Sequence, residues 1–249
     1  MTHTVGADAA ALAAALDAEA ITVTGGLGHA VIALAVTDTE TAFVQLYRVP
    51  AGDTLDTATL ILPFDVTDEA AMHAATEQAT QWRDGVDIFF ANAGISEQAA
   101  LGDIDESHFD RLFDINVKGT VFTVQKAMPL MSAGGAVVLA GSGAGMKGFP
   151  SLSIYSATKA AIRALARSWT TDLKSSGIRV NVVSPGMVLT PAMATYLRNN
   201  DGAEAWMQQA IPFGRLARTE EIAKAVLFLA SQESSFVGGE ELLVDGGFV

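Results

Sequence analysis

Short, mostly apolar runs alternate with longer amphipathic segments along this chain of 249 residues. The runs Val86–Ala91, 135–140 and 178–183 are rich in aliphatic and aromatic residues, and helix-like segments separate them. Strands that are apolar along their whole length are typical of parallel sheets with both faces covered. Right-handed crossovers place helices on both faces, so the pattern predicts one α/β domain over residues 1–249, a doubly wound and mostly parallel sheet.

The remaining segments extend the same pattern to both ends of the chain. Residues 1–19 are rich in alanine and are either a short helical arm or a frayed tail. We expect further strands at 20–24, 42–47, 59–63 and Glu241–Val244, and helices at 69–81, 109–131, 154–174 and Thr219–Ala230.

Polar and turn-forming residues directly follow three of the predicted strands. They are Asn92, Ser142 and the pair Pro185-Gly186. The carboxyl ends of parallel strands meet at one edge of a sheet, and the sites of doubly wound folds lie outside that edge. We therefore expect these residues to converge on one site.

Composition excludes several classes of partner and chemistry. A net charge of −13 repels phosphate backbones and anionic lipid, so neither nucleic acid nor a membrane is expected as a partner. The absence of cysteine excludes disulfides and thiolate catalysis, and the four histidines show no metal-ligand spacing. Neither a signal peptide nor a membrane span is apparent, which predicts a cytoplasmic protein.

Tyr155 and Lys159 lie four residues apart in a predicted helix, and Ser142 precedes Tyr155 on a glycine-rich turn. Residues at i and i+4 of a helix share one face. A phenol with a pKa near ~10 is a poor base at neutral pH, and a neighbouring ammonium is expected to lower that pKa. The three side chains are therefore suited to moving a proton to or from a carbonyl or an alcohol.

Several further motifs accompany this trio in a fixed order. They are Asn92-Ala93-Gly94, Asn116 in Asn-Val-Lys-Gly, Ser184-Pro185-Gly186 with Thr190-Pro191, and Val244-Asp245-Gly246-Gly247. In order and spacing, residues 65–249 resemble the short-chain dehydrogenase/reductase family, and within it the broad-specificity bacterial alcohol dehydrogenases and ketoreductases. The resemblance implies a Rossmann-like fold, a nicotinamide cofactor and a homodimer or homotetramer.

The resemblance also implies a role for each matching residue. Tyr155 would be the general acid in reduction and the base in oxidation, while Ser142 would hold the carbonyl oxygen. Lys159 would lower the pKa of Tyr155 and bind the nicotinamide ribose, and Asn116 would hold a water that links Lys159 to solvent. The cofactor would further contact Asp65, Val66, Asn92, Ala93, Gly94, Pro185, Gly186, Val188 and Thr190.

The phosphate-binding loop is where the chain departs from the family. Gly25, Gly26 and Gly28 stand in a loop that is about three residues shorter than the family's glycine motif. In one interpretation the loop still binds the pyrophosphate, and 30–35 begins the first helix. In the other the loop is damaged, and 30–36 pairs with 42–47 as a β-hairpin, which the β-branched Val31, Ile32 and Val36 favour.

The end of the run 42–47 bears on the choice of cofactor. An acidic residue there would bind the ribose hydroxyls of NAD, but none is present. Arg48 follows instead, and a guanidinium is suited to a 2′-phosphate. This favours NADP(H), although Arg48 is equally compatible with a plain surface position.

Residues 191–215 are rich in methionine and aromatic residues and match the family's substrate loop. The resulting pocket suits a hydrophobic carbonyl or alcohol. We therefore expect an NAD(P)(H)-dependent oxidoreductase that interconverts a ketone and a secondary alcohol. The alternatives are a non-redox isomerase, cyclase or lyase that uses the Ser-Tyr-Lys set without a nicotinamide, and a binding or regulatory protein.

Overall fold

The computed structural model describes residues 3–4, 29–37, 42–50, 60–63, 70, 74 and 86–249. Seven strands form one sheet in the order β4-β3-β2-β5-β7-β8-β9, and β1 pairs with β6 in a separate antiparallel pair. The strands are β1 (His3–Thr4), β2 (His29–Thr37), β3 (Ala42–Pro50), β4 (Leu60–Pro63), β5 (Val86–Ala91), β6 (Ile95–Ser96), β7 (Met131–Ala140), β8 (Arg179–Pro185) and β9 (Glu241–Val244).

The sheet is mostly parallel, as the apolar runs predict. Neighbours are parallel from β2 through β5, β7 and β8 to β9, whereas β3 runs antiparallel to both β2 and β4. The strands expected from residue 86 onward are confirmed, and two of them, Val86–Ala91 and Glu241–Val244, have identical bounds. The strand expected at 20–24 lies outside the described residues.

The segment after the glycine loop is a strand and not a helix. β2 and β3 form an antiparallel ladder in which Ile32 is the partner of Tyr47. The expectation of a helix at 30–35 is therefore wrong, and the hairpin alternative is correct. The β-branched residues of this segment fit a pleated strand better than a helix, in which their side chains crowd the preceding turn.

Six helices of the described part of the chain have both bounds defined. The predicted helix 109–131 is real but interrupted, because a π-helical turn (Asp114–Gly119) separates its two halves and Met131 already belongs to β7. Ala70 and Ala74 are helical, and the rest of predicted helix 69–81 lies outside the described residues. The helices are α1 (Glu106–Phe113), α2 (Thr120–Ala127), α3 (Ser153–Asp172), α4 (Pro191–Asn199), α5 (Ala203–Ala210) and α6 (Thr219–Ala230).

Helices cover both faces of the sheet, and β7 shows how. Val137 and Leu139 pack with residues of α2 and α3, whereas Val138 between them packs with residues of α6. This alternation follows from the two-residue period of a strand, and each of the three side chains is buried. The fold is thus the doubly wound, Rossmann-like α/β sheet that the sequence predicts.

The apolar stripe of α3 faces the sheet of its own chain. Ile162 and Ala166 are buried in the core, and Leu165 and Trp169 pack against that core. The sheet of the same chain therefore covers much of this stripe. Within the described ranges, none of the helices has the length and apolar character that a membrane crossing requires.

Arg179, the first residue of β8, binds the end of α6. Its guanidinium donates hydrogen bonds to the carbonyl oxygens of Leu229 (2.8 Å), Ala230 (3.3 Å) and Ser231 (3.0 Å) and to the hydroxyl of Ser234 (2.8 Å). The last carbonyls of a helix lack partners within the helix, and a cation there also complements the helix dipole. Arg179 therefore ties α6 to the sheet beneath it.

We expect Arg179→Lys to lower the free energy of unfolding by about 1–3 kcal/mol, because an ammonium cannot span the four acceptors that a planar guanidinium reaches. Urea denaturation followed by circular dichroism measures the change. Arg111→Lys is the matched control, because the half-exposed Arg111 forms an ion pair with Glu97, and its replacement should change stability by less than about 1 kcal/mol. Equal effects in the two variants would contradict the role of Arg179.

Candidate active site

A cleft of about 430 Å³ lies at the carboxyl edge of the sheet, where β5, β7 and β8 end. Asn92, Ser142, Pro185 and Gly186 all line it, so the structure brings together the residues that follow these strands. Most of the other lining residues are apolar, and several come from α4 and α5. Between residues 86 and 249, no side chain that lines the cleft carries a charge.

Ser142 lies at the start of the connection that leads from β7 to α3. Its hydroxyl oxygen accepts a hydrogen bond from the Ala144 backbone nitrogen (3.2 Å) and so caps the short 3₁₀ turn Gly143–Gly145. The preceding residue must be glycine, because a Cβ on Gly141 would lie 2.2 Å from the Ser184 hydroxyl oxygen. The turn therefore packs tightly against β8, which fixes Ser142 at the wall of the cleft. Because the hydroxyl oxygen accepts the bond from Ala144, its proton can still be donated to another group.

Tyr155 and Lys159 occupy successive turns of α3, and both are buried, with 3% and 2% of their surface exposed. The Lys159 amine lies 5.9 Å from the centre of the Tyr155 ring and donates a hydrogen bond to the Ala140 carbonyl oxygen (2.9 Å). This bond connects α3 to the end of β7, directly before the Ser142 turn. The spacing that the sequence shows therefore brings the side chains of Ser142, Tyr155 and Lys159 close together.

Burial dominates the electrostatics of this pair. It raises the pKa of Tyr155 to about 12, while a hydrogen bond with Ser142 acts in the lowering direction. Burial also lowers the pKa of Lys159 to about 8. For Tyr155 the loss of hydration is the larger effect in this structure, and the role of Lys159 in lowering the pKa of Tyr155 stays a prediction.

The Tyr155 phenol is buried but lacks a well-placed hydrogen-bond partner. Ser142 is near enough to influence its pKa, yet the phenol oxygen makes no hydrogen bond of good geometry to any residue that the structure describes. A buried hydroxyl without a partner is costly, by about 1–3 kcal/mol. A carbonyl or alcohol oxygen in the cleft would relieve that cost by accepting or donating the missing hydrogen bond.

Asn116 lies in the π-helical turn and is 1% exposed. Its amide oxygen accepts from the Ile95 nitrogen (2.8 Å), and its amide nitrogen donates to the Ile95 carbonyl (2.9 Å) and the Thr158 hydroxyl (3.1 Å). Thr158 in turn donates to the Tyr155 carbonyl (2.7 Å). Asn116 thereby braces the loop after β5 against the turn of α3 that carries Tyr155, and its predicted role of holding a water is not tested.

The segment Asn92-Ala93-Gly94 passes close to the Lys159 amine. Asn92 is buried and lines the cleft, and Ala93 packs against the core. A Cβ on Gly94 would lie 3.3 Å from both the Asn116 amide oxygen and the Lys159 amine. The lack of a side chain at Gly94 thus leaves room for the Asn116 amide and the Lys159 amine, which lie against its backbone.

The turn after β8 forms the opposite wall. Val188 and Thr190 line the cleft, and the Leu189 nitrogen donates to the Ala217 carbonyl (2.8 Å), which holds the turn in place. The Thr190 hydroxyl accepts from the Met193 nitrogen (3.1 Å) and caps α4. Pro185 and Gly186 line the same cleft, and the contact of these four residues with a cofactor stays a prediction.

Of the remaining predicted cofactor residues, the structure describes only Arg48. Gly25, Gly26, Gly28, Asp65 and Val66 lie outside the described residues. Arg48 is the ladder partner of Val31, which precedes the parallel pairing of β2 with β5. Because β3 runs antiparallel to β2, Arg48 lies toward the amino ends of the parallel strands, away from the edge that carries the cleft.

Sequence reasoning missed two aromatic residues of the cleft, Phe149 and Phe248. Their rings stack with centroids 5.5 Å apart, and Phe248 is 8% exposed. Phe149 follows the Ser142 turn by seven positions, and Phe248 follows the glycine pair after β9. A large apolar residue directly after Gly246-Gly247 is the signal that could have indicated it.

Comparison with known proteins agrees with this geometry. The family model described as enoyl-(acyl carrier protein) reductase matches residues 10–249. The chain is 42% identical to the oxidoreductase asL5 of Sarocladium schorii over 73% of each protein. It is 41% identical to a cis-4-hydroxycyclohexanecarboxylate dehydrogenase of Sinomonas cyclohexanicum over 74% of each, and 37% identical to a cyclopentanol dehydrogenase of Comamonas testosteroni over 75% of each.

Solved structures give the same result. A gluconate 5-dehydrogenase from Burkholderia cenocepacia in complex with NADP and tartrate superposes with a TM-score of 0.70 at 31% identity, over 74% of this chain and 73% of that one. A short-chain dehydrogenase/reductase from Serratia marcescens gives a TM-score of 0.68 at 30% identity over 74% of each. Sequence motifs, site geometry and relatives agree, and the chain belongs to the short-chain dehydrogenase/reductase family.

Proposed function

We propose that this protein is an NAD(P)(H)-dependent oxidoreductase that interconverts an uncharged, hydrophobic ketone and the corresponding secondary alcohol. The observation that carries the proposal is the buried Tyr155 phenol, which lacks a well-placed partner and lies beside Ser142 in an apolar cleft. The dehydrogenases among the relatives support redox chemistry over the non-redox alternative.

The cofactor would be held by residues along the sheet edge. Lys159, Gly94 and Asn92 would border its ribose, and residues from Pro185 to Thr190 would border its carboxamide. A nicotinamide bound there supplies a hydride to the carbonyl carbon in reduction and takes one up in oxidation. The relative solved with NADP supports a nicotinamide cofactor, and the choice between NADP(H), which we favoured from the sequence, and NAD(H) is part of the test.

The protein's own residues would handle the substrate oxygen and its proton. With a pKa of about 12, Tyr155 is protonated at neutral pH and is ready to donate its proton to a carbonyl oxygen. Ser142 would donate a second hydrogen bond to the same oxygen, since its hydroxyl accepts from Ala144 and keeps its proton for another partner. Donation leaves Tyr155 as a phenolate, whose negative charge the nearby Lys159 amine would stabilise when protonated. In oxidation, this phenolate would take the alcohol proton and return to the neutral phenol.

The direct experiment mixes the purified protein with NADPH or NADH and a panel of cyclic ketones and follows the absorbance of the reduced cofactor. We expect turnover with at least one of the two cofactors and a rise in melting temperature with the same one, because a ligand that binds only the folded state stabilises it. Neither turnover nor a thermal shift with either cofactor would overturn the proposal. Light scattering in the same buffer tests the expected dimer or tetramer.

Tyr155→Phe should lower kcat by roughly 10²–10⁴-fold, because the variant keeps the ring but loses the proton that is transferred. Binding of the reduced cofactor, measured by calorimetry, should be nearly unchanged. Tyr196→Phe is the matched control, because Tyr196 lines the same cleft from α4, and it should lose less than about tenfold. A rate within threefold of wild type for Tyr155→Phe would refute the acid/base role.

The buried Lys159 should make stability depend on pH. Between about 8 and its ordinary pKa of 10.5, the unfolded lysine binds a proton that the folded one has released, so the free energy of unfolding should rise with pH by up to about 1.4 kcal/mol per unit. Above pH 10 the raised pKa of Tyr155 should lower the free energy of unfolding as the pH rises, because the folded phenol keeps a proton that the unfolded one loses.

Urea denaturation between pH 7 and pH 10 tests this expectation by comparing wild type with Lys159→Met. The variant should lack the rise between pH 8 and pH 10, whereas Lys174→Met, which removes an exposed lysine of the turn after α3, should retain it. Parallel curves for wild type and Lys159→Met would show that burial does not lower the pKa of this lysine.

The described residues that line the cleft are uncharged, which predicts selectivity against anions. A carboxylate placed there would lose its hydration without gaining a cationic partner, which costs binding energy. We expect kcat/KM for cyclohexanol to exceed that for cis-4-hydroxycyclohexanecarboxylate by at least about tenfold. The methyl ester of the acid should recover most of the activity, and a preference for the free acid would contradict the expectation.

A further inference from the structure

Residues 245–249, which we call the Asp245 hook, fold back onto the cleft after β9. Both oxygens of the Asp245 carboxylate accept backbone hydrogen bonds, from Gly247 (2.8 Å) and from Val249 (2.8 Å). Gly246 and Gly247 have φ angles of +66° and +84°, a region that residues with a Cβ rarely adopt. The hook is thus a tightly turned segment with its own internal bonds.

The hook is fixed to both walls of the cleft. A Cβ on Gly186 would lie 2.7 Å from Asp245 Cβ, and a Cβ on Gly143 would lie 2.8 Å from Val249 Cγ2. On the other side, the Phe213 nitrogen donates to the Gly246 carbonyl (3.3 Å). The hook therefore joins the turn next to Ser142 to the segment that follows α5.

Phe248 is the side chain that this arrangement presents to the cleft. It is 8% exposed and packs with Met207, Ile211 and Leu216, and its ring stacks on Phe149. Both phenylalanines line the cleft. Phe248 thus closes part of the space that a substrate would fill once its oxygen lies against Tyr155 and Ser142.

Lys147 holds this phenylalanine from outside. The Lys147 amine lies 4.2 Å from the centre of the Phe248 ring and donates a hydrogen bond to the Phe248 carbonyl oxygen. Lys147 is exposed, and its amine contacts both the ring and the carbonyl oxygen of Phe248. A cation over an aromatic face contributes about 0.5–1 kcal/mol at exposed sites, and the hydrogen bond adds to it.

We propose that Phe248 determines how large a substrate the cleft accepts and that Lys147 is the positioning residue that keeps it in place. This inference rests on the proposed function. It concerns the part of the same cleft that would border the substrate on the side away from Tyr155. Truncation of Phe248 would enlarge the cleft. Loss of the Lys147 amine would let the ring move and would have the same effect in weaker form.

The test compares a small and a bulky alcohol, cyclopentanol and the fused bicyclic tetralol. Phe248→Ala should raise the ratio of kcat/KM for tetralol to that for cyclopentanol by roughly tenfold, the scale on which apolar pockets discriminate by size. Lys147→Met should raise it by about threefold, whereas Lys147→Arg, which keeps the cation, should stay near wild type. Phe248→Leu serves in place of the alanine variant if the latter does not fold.

A purely structural role would lower both kcat/KM values together. If the ratio in Phe248→Ala and Lys147→Met stays within twofold of wild type, or if Lys174→Met shifts it as much as Lys147→Met does, the proposal is overturned.

The proposed function can fail separately. If wild-type protein turns over no alcohol with either cofactor, calorimetric binding of tetralone to wild type and the same variants decides the matter. A change in tetralone affinity in Phe248→Ala and Lys147→Met, but not in Lys147→Arg, supports the role of Phe248. Equal affinities in all of them overturn it.

Discussion

The hydrogen bond from the Lys159 amine to the Ala140 carbonyl is the contact on which the site depends. It joins α3 to the end of β7, so the helix that carries Tyr155 cannot shift relative to the turn that carries Ser142. The core beneath supports the same placement, because Ile162 and Ala166 of α3 are buried against the sheet. The geometry of the proposed proton transfer is thus a consequence of ordinary helix–sheet packing.

Burial gives this site its chemical character. The usual argument for a lysine beside a tyrosine is that the cation favours the phenolate, but here desolvation is the larger effect for both groups. Tyr155 therefore stays protonated over the whole physiological range, which suits an acid that waits for a carbonyl oxygen. The lysine, with a pKa near 8, holds its charge less firmly than an exposed lysine would, so its contribution depends on pH.

The sequence predicted most of the sheet and the centre of the site, and the failures have physical causes. Val86–Ala91, Glu241–Val244 and Thr219–Ala230 could be placed because their apolar pattern and flanking turns agree. The helix interpretation of 30–35 fails because the β-branched residues there favour a strand, which pairs with β3 and β5. The raised pKa of Tyr155 and the contacts of Phe248 depend on burial, which no local pattern reveals.

The two borders of the described sheet are short. β4 and β9 each have four residues, and β4 ends in Pro63, which has no N–H to offer a neighbouring strand. Such borders present few free backbone groups, so they give another chain little opportunity to extend the sheet by edge-to-edge pairing. At these described borders, fibre-like aggregation through shared strands is disfavoured, and association between copies is left to side-chain surfaces.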